Sequence, residues 1–317
     1  MSNSMQLRAN LNMYSALYQR VERSLLISRE ARLAFPTVFM GATGRPAGDG
    51  AAVMTFKNDA TFADGTGQLD WCALCALVDA VLGAVSDMKT GPRVRPATAR
   101  IDLQVTGAAA EGDVSVDARF LAFSNTNRVR QSLVAAAIKS GDMLVGNASA
   151  TCVLLELPTG QTRAQWPWLP DDFKLEPPDA IAFATQELEA LKACEQAEAA
   201  VTAQHPLIEH FWCGIPETSG GKACLQLSVA PHFGNRLGHV QGGLLVGMAI
   251  KVASAAARRD TRLSNISAYI LSLATGPVLD VHSHVVRQGR NLTLVQTRIT
   301  GASGKPVVEA TSQHVAI

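Results

Sequence analysis

The strongest constraint in this 317-residue sequence is an order of elements that occurs twice. In the first half an apolar helical run over 69–85 precedes four strand-like runs, 97–105, 114–123, 130–138 and 147–157, divided by turns such as GAAAEGD and KSGD. In the second half 225–229 reads as a strand and 242–257 as a helix. Four more strands follow at 266–273, 278–286, 292–300 and 307–315, broken by TGP, RQGR and GASGK. Turns of hairpin length cannot carry parallel crossovers, so each half must be a helix with an antiparallel meander, and a doubly wound α/β sheet is excluded. The expected fold class is α+β, one unit present in two tandem copies.

Length and composition fit two cores. A chain of this size exceeds what a single core usually holds, and 47% hydrophobic with 17% charged residues is far from the signature of disorder. We expect a helical appendage over 1–50, a first unit over 51–157, an ordered connector over 158–205 and a second unit over 206–317. Apolar residues at helical spacing between Gln6 and Leu33 describe an amphipathic helix suited to packing, dimerisation or covering a sheet edge. The connector begins with the Pro- and Trp-rich stretch QTRAQWPWLPDDFKLEPPD and continues as an Ala/Glu-rich helix over 180–203.

The net charge of +1, spread along the chain, offers no basic stripe for a nucleic acid. No apolar run reaches the roughly 18 residues of a membrane span, and MSNSMQLRAN lacks a signal-peptide core, so we expect a cytoplasmic protein with no membrane partner. Six cysteines in so long a chain read as free thiols, with Cys72 and Cys75 in an apolar helix. His282 and His284 share a strand face without a carboxylate cluster, so neither a metal nor another cofactor is expected.

The segment PHFGNRLGHVQGG, residues 231–243, leads from a strand into a helix that opens on glycines. Unpaired amides at such a helix start, reinforced by the helix dipole, can hold an oxygen that gains negative charge. Packing is the commoner use of paired glycines. Asn235, Gly238, Gly242 and Gly243, followed by an Ala/Met-rich helix, resemble the N-x-x-G-x-x-H-G-G signature of hotdog acyl-CoA thioesterases of the phenylacetyl-CoA type. Ser267-Ala-Tyr-Ile and the stretch VVRQGR ending at Arg290 are similar to strands of that family, and the first half matches more weakly through Asp79, TARIDL from Thr98 and GNASAT from Gly146.

The resemblance implies two hotdog units with helices side by side and active sites shared between them. One unit supplies Asn and a Gly amide; the other supplies an acid nine positions after the signature His. Setting Gly67 opposite Gly238 puts Asp70 opposite Gln241. Nine positions beyond Asp70 is Asp79; nine beyond Gln241 is Ile250, which can neither attack nor take a proton. The second half keeps Asn235 and Gly242 where the first has Asp64 and Trp71. Each half thus retains what the other lost, and one composite site is expected.

Asp79 also interrupts an apolar helix, where a carboxylate is costly unless used or paired. The resemblance implies that it acts as nucleophile or general base on an acyl-CoA thioester, with Gly242 and Asn235 polarising the carbonyl. Thr98 matches an assisting Ser/Thr position through a one-residue gap. Gln241, in place of the signature His, and Gly243 are expected to touch substrate, and Arg287 and Arg290 to meet the CoA phosphates or be solvated strand-end residues. A non-catalytic acyl-CoA or lipid binder is the competing reading. A hotdog hydratase would need an Asp and a His before the helix, and 64–70 offers no His. A homodimer is expected from the outer sheet edges.

Overall fold

The computed structural model describes residues 15–126, 129–160, 168, 182–202, 204–274 and 276–317. Much of the expected N-terminal helix start and the Pro/Trp-rich stretch of the connector lie outside them. The chain enters through helix α1 (Ala16–Ala31), whose N-terminus is capped by Ser15 accepting from the Tyr18 amide at 3.0 Å. Helix α2 (Phe35–Met40) follows. The Arg20 guanidinium of α1 donates to the Phe39 and Met40 carbonyls at 2.7 and 2.9 Å, satisfying C-terminal groups that α2 leaves unpaired. Hairpin strands β1 (Thr43–Pro46) and β2 (Ala51–Lys57) come next, so the first sheet begins inside the segment assigned to the appendage.

Helix α3 (Trp71–Met88) is capped by Asp70, which accepts from the Cys72 amide at 2.8 Å, and is buried along nearly its whole length. It is apolar and long enough to cross a membrane by length and composition, contrary to the run-length expectation, yet it is a core helix enclosed by protein. The meander β3 (Val94–Val105), β4 (Asp113–Asn125), β5 (Arg130–Ser140) and β6 (Met143–Glu156) wraps it. Helix α4 (Thr185–Ala200) belongs to the connector. Its Glu187 pairs with Arg29 of α1 at 3.2 Å, so appendage and connector pack on each other rather than the appendage serving only as a sheet-edge cover.

The second unit repeats the plan with β7 (Glu217–Ser219), β8 (Lys222–Ser228), helix α5 (Gly242–Ala256), β9 (Thr261–Ile270), β10 (Val278–Gln288), β11 (Leu292–Gly301) and β12 (Pro306–Ala316). The twelve strands of the described residues form one antiparallel sheet in the order β1-β2-β4-β5-β6-β3-β9-β12-β11-β10-β8-β7. The order reads nearly the same from either end, and the units meet at β3 and β9. At that seam Ser267 donates to Asp102 at 2.6 Å and the Arg100 guanidinium lies 5.1 Å from the Tyr269 ring centre.

Behind the sheet α3 and α5 run against each other, and glycines of α5 set how closely. A Cβ on Gly243 would lie 2.1 Å from the Cys75 carbonyl oxygen, and one on Gly247 2.4 Å from the Cys72 Cα. Both contacts are with backbone, which cannot swing aside. Gly247→Ala is therefore expected to destabilise the fold by about 1–3 kcal/mol or more despite alanine's higher helix propensity. Urea denaturation checks this, and a gain in stability would show that the helices have room to part.

Candidate active site

The loops before α3 and α5 are built alike. Isolated bridges pair Ala63 with Leu69 and Gly234 with Val240, Gly67 and Gly238 both take positive φ, and Asp70 and Gln241 both stand at the N-cap. The two helix starts are in register, and antiparallel packing brings the middle of α3 to the N-terminus of α5.

There the Asp79 carboxylate is held at both oxygens. The Gly243 amide donates to Oδ2 at 3.0 Å, and the Thr98 hydroxyl donates to Oδ1 at 2.9 Å. Thr98 precedes a β-bulge in β3, where the register against β6 shifts between Thr98 and Arg100. Bulges commonly re-aim a side chain beside a site. Burial pushes the Asp79 pKa up, and the Gly243 and Thr98 bonds only partly offset this. The acid is thus the weaker-acid kind of carboxyl, oriented by a helix N-terminus and a hydroxyl.

Gly242, next to it, is the first residue of α5, a position whose N–H has no partner within the helix. A Cβ there would lie 2.9 Å from the Ile270 Cδ1 and 3.3 Å from Asp79 Oδ2, so a side chain would crowd the acid. The Asn235 side-chain oxygen accepts from the Leu237 and His239 amides at 2.8 and 3.3 Å, fixing the loop and leaving the side-chain amide as the end that can serve a ligand. Gln241 is buried. Its Nε2 donates to the Ala76 carbonyl at 3.1 Å, while Oε1 has no hydrogen-bond partner among the described residues.

A cavity of about 540 Å³ opens on this group and is lined from both units: Asp79 and Thr98 from the first, Asn235, Gln241 and Gly242 from the second. Gly243, expected to touch substrate, instead spends its amide on Asp79. Arg287 and Arg290 are exposed, on the far part of β10 and the turn after it, and are not among the cavity's lining residues. The arginines that line it are Arg32, Arg95 and Arg236, which the sequence reading missed. Arg236 pairs with the buried Asp87 at 2.9 Å, and Asp87 lies two helical turns beyond Asp79 on α3. A carboxylate recurring on the face of Asp79 was the available signal.

The mirror position has a different content. Ile250 stands where Asp79's counterpart would be, and the next residue, Lys251, places its ammonium 2.8 Å from both Asp70 Oδ2 and Glu209 Oε1. Glu209 begins a π-helical turn, Glu209–Cys213, whose Trp212 is fully buried and donates to the His232 carbonyl at 3.0 Å. Burial opposes the Lys251 ammonium, but the Cys213 and Asp70 side chains outweigh it and the pKa rises. Asp70, Cys72 and Cys213 also lie with donor atoms within 4.8 Å of one another, a spacing suited to an ion, with Lys251 already supplying positive charge beside Asp70. The second position is filled by an ion pair and a turn of protein. Lys251 was legible in the same way as Asp79, as a charge interrupting an apolar helix.

The oleoyl thioesterase, so named provisionally, of Lactobacillus plantarum superposes with a TM-score of 0.55 at 11% identity, over 86% of this chain and 98% of that one. The tesB protein of Mycobacterium avium subspecies paratuberculosis gives 0.52 at 10% identity, over 86% and 95%. A protein of unknown function with a hotdog fold from Alicyclobacillus acidocaldarius gives 0.51 at 11%, over 87% and 96%. Residues 231–314 match the family model of the acyl-CoA thioesterase N-terminal domain. The chain has a tandem hotdog fold. In this tandem hotdog the matched domain is the second unit, which carries Asn235, Gln241 and Gly242. No curated protein sequence matches the chain significantly.

Proposed function

We propose that the protein hydrolyses an acyl-CoA or aryl-CoA thioester at one composite site, with Asp79 as the reactive carboxylate. The observation that carries this reading is Asp79 itself, a buried acid held at 3.0 Å by the Gly243 amide and at 2.9 Å by Thr98 inside a cavity both units line. The thioester oxygen would accept from the Gly242 N–H and the Asn235 side-chain amide, which stabilise charge as the carbon becomes tetrahedral. Asp79 then either attacks the carbon, giving an anhydride that water opens, or takes a proton from the attacking water. In both routes the C–S bond breaks, the thiolate leaves and is protonated, and a carboxylic acid is released.

A panel of acyl- and aryl-CoA esters, followed by release of free thiol, tests the reading. Binding without turnover above buffer would favour the competing role, an acyl-CoA binder. The pH profile gives a second check. Only ionised Asp79 can react, and burial raises its pKa, so kcat/KM is expected to fall on the acid side with a midpoint above the ordinary value of about 4. Thr98→Val removes a bond that favours the ionised form, so the midpoint should move to higher pH. A midpoint that stays put or moves down would remove Thr98 from the acid's support.

A further inference from the structure

Gly83 is the one cavity-lining residue inside α3 that has no side chain, and it stands one turn beyond Asp79. A glycine in a helix interior is destabilising relative to alanine, so its presence needs a cause. Positive φ is not that cause, since Gly83 is absent from the positive-φ glycines, and neither is close packing. A Cβ built on Gly83 meets no heavy atom within 4 Å, whereas those on Gly243 and Gly247 would strike backbone. The bare patch opens on the cavity. One further turn along α3 is Asp87, bonded by Arg236, and Arg95 lines the same cavity from the start of β3. The lining thus passes from the acid, over Gly83, to two guanidinium groups suited to phosphate.

We propose that Gly83 sets the bore of the channel through which the slender pantetheine arm of a CoA thioester reaches Asp79, with Arg95 and Arg236 facing the phosphate-bearing end. The inference rests on the thioesterase reading for its kinetics but has its own binding test. Gly83→Leu should lower kcat/KM for an acyl-CoA by about tenfold or more, mainly through KM, because the arm loses its path. The N-acetylcysteamine ester of the same acyl group, which lacks most of the arm, should change by less than about twofold. Gly83→Ala should shift the same ratio less and melt at or above the wild-type temperature, which keeps the test alive if the leucine variant folds poorly.

Equal losses on both esters, or a loss that grows with acyl length on a fixed carrier, would overturn the proposal. If the wild type hydrolyses neither ester, the enzymatic reading falls. The channel is then judged by calorimetry: Gly83→Leu must still weaken acyl-CoA binding about tenfold, and unchanged binding ends it.

Discussion

Asp79→Asn is expected to reduce thioester hydrolysis by about a thousandfold or more while the protein melts at or above the wild-type temperature. The loss follows from replacing the reactive carboxylate with a group that neither attacks nor accepts a proton. The stability expectation comes from linkage. Burial raises the folded-state pKa of Asp79, so ionising it costs more in the fold than in the unfolded chain. Below the unfolded-state pKa both states are protonated and this penalty is absent; it develops as pH rises through the folded-state value. Asparagine never ionises and so escapes it. Its side-chain oxygen can still accept from Gly243, and the Thr98 hydroxyl can turn to accept from its amide. Activity assays and thermal melts at pH 7 decide the matter, and a variant that keeps wild-type turnover would take Asp79 out of the chemistry.

Lys251→Met should cost about 3–5 kcal/mol, since it leaves Asp70, whose side chain is 1% exposed, and Glu209 without their shared cation. Surface ion pairs seldom matter this much; this one does because water cannot take the place of the ammonium. Adding Asp70→Asn should recover a large part of the loss, as asparagine keeps the helix cap while removing the stranded charge. Urea titration of the two variants is the measurement. A single variant within about 1 kcal/mol of wild type would mean that the triad is solvated after all.

The two predictions concern mirror positions that differ greatly in how they can be read from sequence. The duplicated helix and meander were legible because hairpin turns and strand periods are local signals, and most strand limits agree to within a few residues. Asp79 was legible because a carboxylate in an apolar helix is out of place, and the resemblance to hotdog thioesterases, carried through the alignment of the two halves, implied that it would share one site with Gly242. Strands β1 and β2 were not, since GATGRPAGDG contains the turn between them and its glycines and proline mask the short flanking strands. The Glu209–Cys213 turn was missed for another reason. Its shape is set by Trp212 and Phe211 packing beside Phe39, with ring centres 5.4 and 5.2 Å away, and distant aromatic contacts leave no periodic trace. Arg95 and Arg236 were overlooked because a strand-end or loop arginine is common, and only the folded chain shows which ones border a cavity.

The seam between β3 and β9 has a consequence for how this protein answers dilution. Where two separate chains pair their sheets, the assembled fraction follows mass action and falls as the protein becomes scarce. Here both partners lie on one covalent chain, so each faces the other at a fixed effective concentration. Pairing of the two units, and with it the meeting of Asp79 and Gly242, should be as complete at nanomolar abundance as at micromolar.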